Sequence, residues 1–122
     1  ALGNVKFLGH VSDSERTQLM STAQSVVVAA LEDYGLVPVE ANASGTPVIA
    51  YGMGGVLDTQ IPGETGTFFK RQTPEALQSA LLESRDIAWN YQRIRDHAVS
   101  QFSEAAFFGK VDRVLEKSYQ TA

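Results

Sequence analysis

The stretch from Ser25 to Tyr51 constrains this chain more than any other: SVVVAA, then LEDYGLVPVEANASGTP, then VIAY. Its opening run, Ser25 to Ala30, is continuously apolar, rich in β-branched residues and without alternation. Such a run reads as a strand buried on both faces, at the centre of a parallel sheet. A helical pattern follows from about Leu36 to Ser44. Pro38 falls in its first turn, where the absent N–H costs no intrahelical bond. Gly45 stands where a C-cap glycine belongs, Pro47 stops any continuation, and Val48-Ile49-Ala50 reads as the next buried strand. The unit is strand–helix–strand with short loops, and a right-handed crossover is expected. The fold class is therefore α/β: a three-layer, Rossmann-like parallel sheet with helices on both faces.

In open sheets of this class, ligands bind outside the carboxyl ends of the strands, and the loop Glu32–Gly35 falls at such an end. The helix starting near Leu36 offers unpaired amides and a partial positive charge, a seat for phosphate. Gly35 lacks the Cβ that would hold a ligand away. Glu32 lies in the loop and Glu40 about a turn into the helix, so both carboxylates can face one crevice. A carboxylate can accept two hydrogen bonds from a vicinal diol, as the acidic residue of dinucleotide folds does from ribose. On these two residues alone the alternative stands level: Glu40 a surface helix residue and Glu32 a loop acid.

Their surroundings separate the two. Glu32-Asp33-Tyr34-Gly35-Leu36-Val37-Pro38-Val39-Glu40-Ala41, then Ser44-Gly45-Thr46-Pro47-Val48-Ile49-Ala50, then Gly54-Gly55, closely resembles the signature of the retaining glycosyltransferases of family 4. The resemblance covers about Asn4 to Phe69. It implies the GT-B architecture, two Rossmann-like domains about a cleft, and makes residues 1–122 a fragment of the nucleotide-sugar donor-binding domain. The family's paired glutamates, separated by seven residues, fall on Glu32 and Glu40. By resemblance, Glu32 is the catalytic residue that approaches and positions or polarises the donor sugar, and Glu40 binds the nucleotide ribose. Donor hydroxyls and phosphates would meet the backbone at Tyr34, Gly35, Leu36 and Val37. Gly54 and Gly55 could also let backbone approach the donor, the alternative being simply a turn before a short helix. The DYG and VPVEA wording is most similar to members that use GDP-mannose. The implied activity is hexosyl transfer with retention, to a glycan or lipid-linked acceptor in polysaccharide biosynthesis. No cofactor and no metal are implied, since the nucleotide-diphosphate sugar is the substrate and no DxD pair is present. The alternative from another class is a non-catalytic nucleotide-binding or assembly module.

Composition narrows the partners. A net charge of −4 argues against nucleic acid. The absence of cysteine excludes disulfides and thiolate metal sites. No apolar run approaches the roughly 20 residues of a membrane span. A cytosolic piece of a longer protein is expected, with peripheral membrane association of the full-length protein left open.

Elsewhere, Asn4 to Gly9 (NVKFLG) reads as a short strand. Ser12 and Glu15 form a capping-box pattern that starts a helix to about Ala23, burying Leu19, Met20 and Ala23. A turn at Gly52–Gly55 leads to a short helix, Val56 to Gln60, in which Asp58 replaces the glutamate frequent in the family and reads as structural. Pro62–Gly66 is turn chemistry before a strand Thr67–Phe69, and Glu64 reads as a solvated acid. Helices occupy about 74–121. Thr73-Pro74-Glu75 starts the first, with Leu77, Ala80 and Leu81 inward. Ile87 to Gln101 forms the second, burying Ile87, Tyr91, Ile94 and Ala98. Ser103 caps a third. His10, Trp89 and His97 receive no chemical role.

Two absences matter. Before Lys70 the only cations are Lys6 and Arg16. The arginine and lysine that the family draws from its first strand–loop find no match here. Strands one and two of the domain, and the acceptor-binding domain, are expected to be missing. In the usual order 3-2-1-4-5-6, those strands would separate NVKFLG from SVVVAA. The isolated fragment is accordingly expected to be inactive and to self-associate or be marginally stable.

Overall fold

A computed structural model describes residues 3–31 and 36–101. Among these described residues three strands form one parallel sheet in the order β1-β2-β3: β1 is Val26–Val28, β2 is Val48–Tyr51 and β3 is Gly66–Phe69. Val26 pairs with Val48, and Val48 with Gly66, so all three carboxyl ends leave one edge. Five helices accompany them among the described residues: α1 (Asp13–Thr22), α2 (Leu36–Ala43), α3 (Val56–Thr59), α4 (Pro74–Asp86) and α5 (Tyr91–Gln101).

Alternation along β2 sorts the core into two faces. Val48 and Ala50 pack with Met20, Val28, Ala41 and Val56, beneath α1, α2 and α3. Ile49 packs with Phe69 and Ala80, beneath α4. The three-layer reading therefore holds, and α5 adds a further layer on the outside of α2. The helix ends follow their local signals. Ser12 Oγ accepts from the Glu15 amide at 3.2 Å, and Thr73 Oγ1 from the Ala76 amide at 3.2 Å. Gly45, at φ 82°, closes α2 in a Schellman arrangement. Its amide donates to Asn42 O at 2.8 Å and the Thr46 amide to Ala41 O at 3.0 Å.

Several expectations need correction. NVKFLG is not a strand; it is exposed throughout, with Phe7 89% accessible. A strand needs a neighbour, and the sheet offers it none among the described residues. SVVVAA yields only a three-residue strand, and among the described residues it lies at the edge of the sheet rather than the centre. Val27, on the α4 face, is 42% exposed because α4 packs chiefly over β3 and β2. The central strand is β2, with Val48, Ile49 and Ala50 all at 0%. Leu19 and Ala23 are exposed, leaving Met20 as the residue with which α1 enters the core. The helix expected from Ile87 starts at Tyr91, because Asn90 Oδ1 caps it by accepting from the Arg93 amide at 3.0 Å. Tyr91 and Leu81 are exposed, while Ser84 is buried on α4. Glu64 lies 3.7 Å from Arg93, an exposed ion pair of small energetic weight. The third helix, with Ser103, lies outside the described residues.

Gly66 opens β3 where a Cβ would collide with the backbone carbonyl oxygen of Val48. That carbonyl belongs to the β2–β3 pairing and cannot swing aside as a flexible side chain would. Gly66→Ala is expected to destabilise the domain by about 2–3 kcal/mol, the upper range for overpacking. The thermal unfolding midpoint of the full-length protein reads this directly.

Candidate functional site

The carboxyl edge of the sheet gathers three connections. After β1 the chain passes Ala29–Leu31 and, beyond the described residues, enters α2 at Leu36. After β2 it turns through Gly52–Gly55 into α3, and after β3 through Lys70–Thr73 into α4. The three loops are tied together. The Gly52 amide donates to Phe69 O at 2.9 Å, and Gln72 Nε2 reaches across to Ala29 O at 3.0 Å. No sequence signal marked Gln72, because its partner lies 43 positions away.

Of the residues singled out in the sequence, Glu32, Tyr34 and Gly35 lie outside the described residues. Leu36 is the first residue of α2, so its amide and that of Val37 belong to the unpaired first turn. The Val37 side chain is half-buried against the core cluster under α2, which leaves its backbone as the part a ligand could reach. Pro38, third in α2, is fully buried and removes no intrahelical bond at that position. Gly54 takes φ 79°, a conformation that side chains rarely adopt, and Gly55 is the N-cap of α3. Of these two residues without a Cβ, Gly54 is exposed at the carboxyl edge and Gly55 is buried beneath it. Asp58, in the first turn of α3, is exposed.

Glu40 occupies the second turn of α2, half-buried, and its Oε2 is paired with Arg16 of α1. The side chains are 45% and 40% exposed, so water screens the pair. Sequence reading placed Arg16 among sparse cations but not against Glu40; 24 positions separate them.

Behind the site, α2 is held at its carboxyl end by a buried polar network. Asn42 Nδ2 donates to Thr46 O at 3.0 Å and to Thr65 O at 3.1 Å, and its Oδ1 accepts from Gln60 Nε2 at 2.7 Å. Thr65 Oγ1 donates to Gln60 Oε1 at 3.1 Å and accepts from the Ile61 amide at 2.8 Å. Asn42, Gln60 and Thr65 are 2%, 6% and 1% exposed, so this network fixes the orientation of α2 against β3.

At the opposite, amino edge, a hollow of about 410 Å³ opens between the start of β1 and the end of α4. Gln24, Ser25, Leu82, Arg85, Trp89 and Tyr91 line it, and the Trp89 indole N–H is engaged by Ser84 O at 3.0 Å. Among the described residues no group of three or more His, Asp or Glu could hold a metal ion, and no helix is long and apolar enough to cross a membrane.

The family model of glycosyl transferases group 1 matches residues 1–95. The chain belongs to that family. A relative within it, the D-inositol 3-phosphate glycosyltransferase of Corynebacterium glutamicum, is 37% identical over 106 residues, covering 84% of this chain and 25% of the relative. The alpha-1,3/1,6-mannosyltransferase ALG2 of Rhizomucor pusillus is 29% identical over 115 residues, 91% of this chain and 25% of its own. In structure, the sucrose-phosphate synthase of Thermosynechococcus elongatus superposes with a TM-score of 0.76 at 30% identity, over 96% of this chain and 31% of that one. This group 1 chain thus spans a quarter to a third of the length of these relatives.

Proposed function

We propose that this chain is the donor-binding part of a retaining glycosyltransferase, which moves a hexose from a nucleotide diphosphate to an acceptor hydroxyl. The observation that carries the reading is that the α2 amino end and the Gly54–Gly55 turn follow the carboxyl ends of two adjacent parallel strands, β1 and β2, while Glu40 stands one turn further into the helix. Amides at Leu36 and Val37 suit a diphosphate, whose charge they meet with aligned dipoles. They also stabilise the charge that grows on the departing diphosphate as the anomeric C–O bond breaks. Glu40 is assigned to the ribose diol and Glu32 to the donor sugar. Tyr34, Gly35, Gly54 and Gly55 are assigned backbone contacts to the donor.

The relatives bear names for different products, an inositol phosphate glycoside, a mannoside and sucrose phosphate, so their names leave the donor undecided. GDP-mannose is the donor proposed here, on the DYG and VPVEA wording of the loop and helix. Titration calorimetry of the full-length protein with GDP and with UDP tests this. GDP is expected to bind more tightly than UDP by about tenfold or more, the value of one or two specific base contacts. Binding of neither nucleotide would refute the donor site. Binding without any transfer from GDP-mannose or UDP-hexoses would replace the enzyme by a binding module.

A further inference from the structure

We infer that Arg16 is a positioning residue of the nucleotide site: its guanidinium holds one oxygen of Glu40 and so presents the other to the ribose diol. The inference rests on the donor-binding reading above and adds to it a residue from another helix.

Arg16 and Met20 lie four positions apart on α1, hence on one helix face. Met20 is buried in the cluster that includes Ala41, the neighbour of Glu40. Thr46 Oγ1, just past the end of α2, donates to Met20 O at 2.6 Å. The helices are thus fastened one turn away from the ion pair, and the Arg16 guanidinium is delivered to Glu40 by a fixed frame. The contact is one-sided. Nη2 of Arg16 meets Oε2, and among the described residues no hydrogen bond engages Oε1. A guanidinium that took both oxygens would compete with a diol; one that takes a single oxygen leaves the other free to accept.

The pair is a weak device for folding, because both side chains are about half exposed. Its effect is on freedom. An unpaired glutamate has several rotamers to lose when a ligand orders it, and a carboxylate already held by a cation loses fewer. The other acids of α1, Asp13 and Glu15, lie in its first turn beside the Ser12 cap, where they complement the helix dipole. Arg16 is the cation of α1, and it is spent on the carboxylate to which the site assigns the ribose.

The test uses full-length protein and calorimetry with GDP or UDP, whichever binds, beside its 2′,3′-dideoxy counterpart. Arg16→Met is expected to weaken the ribonucleotide about tenfold, the scale of one freed side chain, and to leave the dideoxy nucleotide unchanged. Arg16→Lys should recover most of the loss. Glu40→Gln should abolish the preference for ribose, and adding Arg16→Met to it should cost nothing further. If Glu40→Gln removes that preference while Arg16→Met weakens both nucleotides alike, or neither, Arg16 is structural and the inference is overturned, with the donor site intact. If Glu40→Gln leaves the preference in place, the ribose assignment itself fails and the inference falls with it. Should Arg16→Met not fold, Arg16→Gln carries the same comparison, with circular dichroism reporting its integrity.

Discussion

Turnover by the full-length protein is expected to fall by about two to three orders of magnitude when Glu32 is replaced by alanine, the scale of removing one group that stabilises developing charge. The donor KM should move little. The reason is the division of labour between the glutamates. Glu32 is assigned to the sugar, where bonding changes between ground and transition state, so its loss is felt in kcat. Glu40 is assigned to the ribose, where nothing changes during reaction, so its loss is felt in binding. Glu40→Ala should raise the donor dissociation constant about tenfold to a hundredfold, the worth of one or two hydrogen bonds to a charged acceptor, with kcat nearly unaltered. Steady-state kinetics over a donor concentration series separates the two. Unchanged parameters for both variants, or the reverse split, would remove the assignment.

Asn42→Leu should be the most damaging substitution away from the donor. Leucine shares the branched shape of asparagine, with bulkier methyl groups, but makes none of the three hydrogen bonds that Asn42 gives and receives. Thr65 O would still hold the Val48 amide at 3.1 Å, but Thr46 O and the Gln60 carboxamide would each lose a partner inside the core. Buried polar groups left without partners cost about 1–3 kcal/mol each, so a loss of roughly 3–4 kcal/mol is expected. Gln60→Leu added to Asn42→Leu should cost less than the two single losses summed, because the bond between the two carboxamides can be lost only once, although Thr65 Oγ1 then also loses its acceptor at Gln60 Oε1. Thermal or urea unfolding of the single and double variants measures both terms. Additive losses would show that the pair does not act as a unit.

How much of this could be read from the sequence depended on the range of the cause. Caps are local, and Ser12, Thr73 and Gly45 each close or open a helix where spacing alone placed them. The apolar run of β2 and the helix of α2 were likewise legible, since their burial is written into their own residues. What failed was non-local. SVVVAA carries the composition of a central strand, but its position was decided by which strands stand beside it. Leu19, Leu81 and Tyr91 fit their helical stripes and still face outward, because nothing among the described residues packs over them. Among the candidate residues, Gly54 and Leu36 were proposed from turn and helix-start signals and Val37 from the family resemblance, whereas nothing pointed to the contacts of Arg16 and Gln72. Their partners, Glu40 and Ala29, stand 24 and 43 positions away, beyond any periodicity. Glu32, Tyr34 and Gly35 rest on the family signature, and they lie outside the described residues.

A crystal structure of the full-length protein soaked with its nucleoside diphosphate tests the central claim most directly. The diphosphate should lie against the Leu36 and Val37 amides, with a ribose hydroxyl on Glu40. Density in the hollow beside Trp89 and Tyr91, at the amino edge of the sheet, with the carboxyl edge empty, would contradict it.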